Sequence, residues 1–181
     1  MKIPKKAKRV FKGEIFEVWQ WRQKMFDGSY KTFERIQRPD TIQVIATRDG
    51  RILMTREEQP GHKREYGLLG GRVDEGEGPL ACAKRELLEE AGLVSRDWEM
   101  LKIYEPVIKM QWRVYFYIAR NCSKMAEPRL ESGERIEVLD VSFEEFIEIT
   151  SSAYWGGEFV SDILRMRLKG ELGKFRKKLF I

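Results

Sequence analysis

Histidine and asparagine each occur once among the 181 residues, as His62 and Asn121, and cysteine occurs twice, as Cys82 and Cys122. Two cysteines are too few for a disulfide framework, so both are expected as reduced thiols of a cytosolic protein. The lone histidine lies in a charged stretch and reads as a solvated side chain, with no catalytic role assigned to it. No apolar run approaches the roughly 18 residues of a membrane span, and the basic N-terminus lacks the apolar core of a signal peptide. A soluble, cytoplasmic protein is therefore expected. Internal repeats and low-complexity linkers are also missing, so residues 1–181 are expected to form one domain.

What is present is charge, at 35% of residues, with a net +5 and a pI near 9.2. A basic balance suits anionic substrates without choosing among them. Much of the excess sits at the two ends, in Lys2, Lys5, Lys6, Lys8 and Arg9 and again in Lys174, Arg176, Lys177 and Lys178. Both ends are read as frayed basic termini.

Acid is concentrated in one short stretch. Pro79 suits a first helical turn and Gly92 a stop, which predicts a helix over 79–91 with Leu80, Ala83, Leu87 and Ala91 as its buried stripe. Glu86, Glu89 and Glu90 share another side of that cylinder, at three- and four-residue spacing. Like charges so placed cost a few tenths of a kcal/mol per pair, and the helix dipole disfavours carboxylates near a C-terminus. Local stability does not account for them. A hard divalent cation does, because Mg²⁺ takes oxygen ligands and commonly joins protein carboxylates to substrate phosphates. Arg85 and Glu77 are placed to hold the cluster, the arginine through bidentate pairing.

Gly71, five residues, Glu77, seven residues, Arg85-Glu86-Leu87, one residue, Glu89-Glu90, one residue and Gly92-Leu93 fill every fixed position of the signature of Nudix hydrolases, and the chain resembles that family strongly. The resemblance implies an α/β fold, an α/β/α sandwich with a mixed sheet in which the signature forms a loop, a helix and a loop. It also implies an enzyme that uses Mg²⁺ or Mn²⁺ to cleave a diphosphate linked to another group. By that resemblance Glu86, Glu89, Glu90 and the Gly70 carbonyl bind metal, while Gly71, Glu77, Arg85 and Gly92 support the site. Neutralising phosphoryl charge and activating a water need no histidine or cysteine.

Along the rest of the chain, residues 13–21 and 30–37 are rich in β-branched and aromatic residues around an Asp27-Gly28 turn, predicting an N-terminal hairpin or meander within 1–40. Strands are expected at 41–47, 51–55, 98–104, 111–119 and 136–141. A polar loop is expected at 121–134, and another, charged on both signs, at 56–66. In that second loop Arg56, Lys63 and Arg64 are candidate phosphate contacts. Ser142 and Glu145 form a capping box opening a helix to about Thr150, and Val160, Ile163, Leu164 and Leu168 space a final helix. Trp112 stands where it can join the core or stack on a base.

Thr32 to Pro39, Thr41 to Ala46, the signature and Gly133 to Val138 are similar in order and spacing to the ADP-ribose pyrophosphatase branch. That resemblance implies a homodimer built through the N-terminal strands, Phe33, Glu34 and Arg38 as substrate contacts, and a general base from a later loop, here Glu134, with Glu131 next. The chain departs from the branch in having Leu69 before Gly70-Gly71, in the position of Pro106, and in Glu57-Glu58-Gln59 where a Gln-aromatic-Arg motif is common. The expected substrate is ADP-ribose or a related nucleoside diphosphate sugar. The alternatives are a nucleoside triphosphate or RNA 5′-end pyrophosphohydrolase and a non-catalytic nucleotide- or RNA-binding module. Nucleic acid is not the expected partner.

Overall fold

The computed structural model describes residues 2–152, 155 and 159–181. In chain order the elements are β1 (Lys8–Lys12), β2 (Glu17–Lys24), β3 (Tyr30–Gln37), β4 (Thr41–Arg48), β5 (Arg51–Gln59), β6 (His62–Gly67), α1 (Pro79–Ala91), β7 (Leu93–Val94), β8 (Asp97–Tyr104), β9 (Met110–Gln111), β10 (Val114–Arg120), β11 (Ser123–Lys124), β12 (Arg135–Val141), α2 (Phe143–Ser151), α3 (Val160–Leu168) and α4 (Leu172–Phe180).

The central sheet runs β12-β5-β4-β10-β8, with β6 paired to β5. It is mixed, because β10 pairs parallel with β4 and antiparallel with β8. Alternation along its middle strands explains the layers. Ile42, Val44 and Ala46 on β4 and Tyr115, Tyr117 and Ala119 on β10 pack with Cys82, Ala83, Leu87 and Ala91 of α1. Ile45, Val114, Phe116 and Ile118 face the other way, onto Phe143, Phe146, Phe159, Ile163, Phe175 and Leu179 of the C-terminal helical layer. Every residue of β10 is buried, as a strand covered on both faces must be. The result is the expected α/β/α sandwich. A second sheet, β1-β2-β3-β9, carries the predicted hairpin, with Trp21 buried against Phe33 at 6.1 Å between ring centroids. No helix among the described residues is long and apolar enough to cross a membrane.

Several expectations need correction. The buried stripe of α1 includes Cys82 and Glu90, while Leu80 is 38% exposed, because α1 leans on the sheet over its middle and C-terminal turns. The charged stretch 56–66 is not a loop. β5 continues to Gln59, turns at Pro60-Gly61 and returns as β6, so its charges alternate across a hairpin. Residues 8–12 form an edge strand, and the strand expected from residue 13 begins at Glu17. Trp112 precedes β10 instead of lying in it.

The basic C-terminus is helix α4, docked by Phe175 and Leu179. The Lys178 carbonyl accepts from buried Arg120 at 2.6 Å, and Arg120 also pairs with Asp97 at 2.9 Å and with Glu99. In α3 only Ile163 is fully buried, and Leu164 and Leu168 face outward. The capping box of α2 forms, with Glu145 N donating to Ser142 Oγ at 3.1 Å and Ser142 N donating to Glu145 Oε2 at 2.6 Å.

Candidate active site

Helix α1 begins with Pro79 in its first turn and ends at Gly92, whose φ of 66° is the left-handed conformation that closes a helix. A Cβ on Gly92 would also meet the Ala126 carbonyl oxygen at 2.1 Å. Beyond the helix, the Gly92 carbonyl accepts from Met125 N at 2.9 Å and Ala126 N at 3.1 Å, and the Glu89 carbonyl accepts from Arg129 N at 2.7 Å. The connection 121–134 is thereby fastened to the end of α1. Before the helix, Ile42 N donates to Gly71 O and Val44 N to Leu69 O, so the glycine loop lies along β4. A Cβ on Gly71 would stand 2.2 Å from Glu86 Oε1, and one on Gly70 2.3 Å from the Ile42 carbonyl oxygen. At Gly70 the backbone contact excludes a larger residue, whereas at Gly71 a larger residue would displace the Glu86 carboxylate.

Arg85 is the organiser of the acidic side. Its Nε and Nη2 donate to the two oxygens of Glu77 at 3.1 Å each, and its Nη1 donates to Glu86 Oε1 at 2.8 Å and Glu89 Oε2 at 2.9 Å. Hydrogen bonding from Arg85 holds the Glu77 carboxyl below the ordinary carboxylate range. Glu86 and Glu90 shift the other way. Burial raises Glu86, and burial pushes Glu90 up to about 9, with the charges of Glu86, Glu57 and Glu134 adding to it and a 2.8 Å bond from Gly70 N opposing it. Cys82, behind them, is pushed up to about 12 by burial and by Glu77 and Glu86, which makes it an inert thiol.

These observations test whether a divalent cation suits the site. A buried Glu90 and a half-buried Glu86, whose ionised forms are disfavoured by burial and by neighbouring carboxylates, are an all-oxygen donor set that a hard cation would stabilise. Among the described residues no three acidic, histidine or cysteine side chains already converge on one point, because Arg85 spans Glu86 and Glu89. The donor chemistry fits Mg²⁺ or Mn²⁺.

The acidic cluster opens on a cleft of about 840 Å³. Gly70, Gly71 and Glu90 form its base, β5 and β6 supply Glu57, Gln59, Lys63 and Arg64, and Arg38, Trp112, Glu134 and Trp155 complete the wall. Glu134 Oε1 accepts from Gln59 Nε2 at 3.0 Å. Glu131 is not in the wall; its carbonyl accepts from Glu134 N at 3.0 Å in the turn that carries Glu134 inward. The Arg38 guanidinium lies 4.6 Å from the centre of the Trp112 ring and 5.7 Å from that of Phe16. Trp112 is fixed in turn by its Nε1 donating to Thr41 Oγ1 at 3.0 Å.

Other sequence candidates lie elsewhere. Arg56 points away from the cleft, paired with Glu65 at 2.8 Å and Glu137 at 2.7 Å. Phe33 and Glu34 sit on β3, Phe33 against Trp21 and Glu34 accepting from Gln20 at 3.0 Å, and neither lines this chain's own cleft. Sequence reasoning passed over Glu57, Gln59 and Trp155. Glu57 bonds Thr55 Oγ1 at 2.5 Å and Arg64 Nη2 at 3.1 Å, across the register pair Glu57↔Arg64. The missed hairpin hid that pairing, although the Pro60-Gly61 turn dipeptide carried a signal for it.

A carboxylate-bearing helix clamped between two glycine turns, set on a mixed sheet between helical layers and opening on a polar cleft, is the build of an α/β/α-sandwich hydrolase. The NUDIX domain family model matches residues 37–163, well over half of the chain, which belongs to that family and is a Nudix hydrolase. An ADP-ribose pyrophosphatase from Bacillus subtilis (strain 168) is 24% identical over 148 residues, 80% of each chain. A methanol dehydrogenase activator from Bacillus methanolicus is 23% identical over 147 residues, 79% of this chain and 80% of its own. A solved structure described as that of an ADP compounds hydrolase aligns with a TM-score of 0.74 at 19% identity, over 92% of this chain and 94% of its own. That last likeness shows the fold.

Proposed function

We propose that the protein hydrolyses ADP-ribose, or a closely related nucleoside diphosphate sugar, to a nucleoside monophosphate and a sugar phosphate, using Mg²⁺ or Mn²⁺. The observation that carries this reading is the placing of Glu90 and Glu134 in one cleft, with Glu86 against Gly71 at its base and the Arg38–Trp112 stack in its wall. A nucleoside diphosphate sugar has that polarity, with a central dianion and a heterocycle at one end. Its similarity to an ADP-ribose pyrophosphatase of Bacillus subtilis supports the choice of substrate.

Glu86, Glu89, Glu90 and the Gly70 carbonyl would hold the cation, which supplies charge neutralisation on the phosphoryl oxygens and a more acidic water. Arg85 keeps the carboxylates in register, anchored by Glu77. Glu134 accepts the proton of the attacking water, with its carboxylate oriented by Gln59. Arg64 and Arg38 meet the phosphates, and Trp112 bounds the base. Arg56, tied into two ion pairs on the other side of β5, would need to leave both to contribute.

Residues 1–181 act as one unit in this reading, with 1–40 joining two copies as a homodimer. Val10, Phe11, Phe16, Tyr30 and Ile36 are all exposed on the N-terminal segment, more apolar surface than a short edge sheet leaves bare. Across such an interface Phe33 and Glu34 would reach the partner's cleft. Chromatography of products tests the reaction. AMP and ribose 5-phosphate from ADP-ribose are expected, with nucleoside triphosphates poorer substrates. Pyrophosphate released from triphosphates at much higher catalytic efficiency would refute the assignment.

A further inference from the structure

Buried polar atoms in a folded protein nearly always have partners, because leaving one unmet forfeits its bond to water without replacement. Two side chains here break that rule in the same place. Gln43 Oε1 and Trp155 Nε1 are closed off from solvent and meet no hydrogen-bond partner among the described residues, and both residues belong to the wall of the cleft. One is an acceptor and the other a donor.

Their position narrows what they could meet. On β4, Ile42 and Val44 face α1, so Gln43 lies on the opposite side of the sheet, the side on which Ile45 and Trp155 pack. Gln43 also abuts the glycine loop, since a Cβ on Gly70 would come within 3.1 Å of Gln43 Cα, and Gly70 N is bonded to Glu90. Gln43 and Trp155 share the cleft with Gly70 and Glu90, so in the reading above a group touching Gln43 lies close to the diphosphate. In a nucleoside diphosphate sugar the neighbour of a phosphate is a pentose, and the base lies one sugar farther out. A pentose hydroxyl both donates and accepts, which is what a lone acceptor beside a lone donor requires.

We propose that Gln43 and Trp155 are specificity-determining residues that recognise the hydroxyls of the pentose adjoining the diphosphate, Gln43 accepting from one and Trp155 donating to one. This rests on the nucleoside diphosphate sugar reading of the same cleft and adds to it the residues that read the sugar. It gives the two unmet atoms a function in the bound state that they lack in the free one.

The test uses the full chain as wild type, Gln43→Leu, which removes the acceptor at nearly constant shape, and Trp155→Phe, which removes the donor together with part of the ring. Two readouts are taken: thermal unfolding without ligand, and kcat/KM for ADP-ribose and for two analogues lacking the vicinal hydroxyls of one pentose or of the other. Removing an unmet buried polar atom at constant shape is expected to leave the unfolding temperature of ligand-free Gln43→Leu unchanged or raise it by about 2–4 °C, whereas the smaller ring of Trp155→Phe leaves a cavity and lowers it. Wild type is expected to disfavour one analogue by about tenfold, and each variant to lose about tenfold on ADP-ribose while no longer discriminating. If Gln43→Leu unfolds at a lower temperature without ligand, its oxygen is bridged by structural water and the proposal is overturned. Undiminished discrimination in the variants overturns it too. Should wild type fail on ADP-ribose yet cleave another nucleoside diphosphate sugar, the substrate assignment falls, and deoxygenated analogues of that sugar decide the proposal by the same comparison.

Discussion

Replacing Glu90 by glutamine should make the metal-free protein more stable while destroying its activity, and the size of the gain follows from the site. Glu90 is 8% exposed, and its carboxyl is raised from an ordinary 4.5 to about 9. An acid raised on folding is protonated in the native state while the unfolded chain has already released its proton. Native protein then binds more protons than unfolded, so stability is full below pH 4.5 and falls as pH rises toward 9, beyond which it is level. At pH 7.5 the accumulated cost is about 4 kcal/mol at 1.4 kcal/mol per pH unit, and about 2 kcal/mol once a realistic interior dielectric is allowed for. Glutamine carries no such charge and still offers an oxygen to Gly70 N. With about 2–4 °C per kcal/mol for a chain of this length, Glu90→Gln in EDTA at pH 7.5 is expected to unfold about 4–8 °C above wild type. The difference should shrink to about 1 °C at pH 5 and reach a plateau above about pH 9. Adding Mg²⁺ should close the gap by stabilising wild type alone. Differential scanning fluorimetry across that pH range measures all of this. A gap independent of pH, or a variant less stable than wild type at pH 7.5, would show that Glu90 is not a strained buried carboxylate and would remove the physical argument for a cation there.

Other outcomes follow from the same geometry. Glu134→Gln should lower kcat by about 10²–10⁴-fold with the unfolding temperature unchanged, and Glu131→Gln should not; loss in Glu131→Gln alone would transfer the base role, and loss in neither would leave water activation to the α1 carboxylates and the cation. Arg64→Ala should raise KM for ADP-ribose by about tenfold or more with kcat less affected, and unchanged steady-state kinetics would take Arg64 off the phosphates. Ser142→Ala removes a complete capping box and should cost about 1 kcal/mol in urea denaturation, an argument undone by an unchanged midpoint. Light scattering at micromolar concentration should report a dimer, against a monomer of 21.4 kDa.

Much of the fold was legible because local rules and tertiary packing agree where the chain is most regular. Helix α1 has its predicted bounds, since Pro79 and Gly92 set them by backbone chemistry that no distant contact overrides. The central strands were found because β4 and β10 are apolar enough to require burial. The failures fall where burial is decided at long range. Helix α4 looks like a frayed basic tail until Arg120, 58 residues away, takes the Lys178 carbonyl. Hairpin β5–β6 looks like a loop because its exposed faces carry charges of both signs, and only pairing with β12 on the other edge of β5 makes it a sheet.

The site divides the same way. Spacing put Glu77, Arg85, Glu86, Glu89 and Glu90 together, whereas Gln59 beside Glu134 and Trp155 in one cleft with Gln43 involve separations that no periodicity encodes. Leu80 was misassigned for a related reason. Helical spacing gives the stripe, but which edge of it meets the sheet depends on how α1 leans.

The fastening of the 121–134 connection onto the last turn of α1 has a kinetic corollary. Gly92 O and Glu89 O are the anchors, so the end of the helix that carries Glu89 and Glu90 also fixes where Glu134 begins its approach. With Glu134 as the proposed proton acceptor, a lesion at that joint would misplace it relative to carboxylates that themselves stay in order. In Gly92→Ala, where the new methyl would press on the Ala126 carbonyl, metal affinity would survive while the solvent isotope effect on turnover grew, as water deprotonation became the slow step. The two halves of the reaction are thus separable by a single methyl group placed outside the cleft.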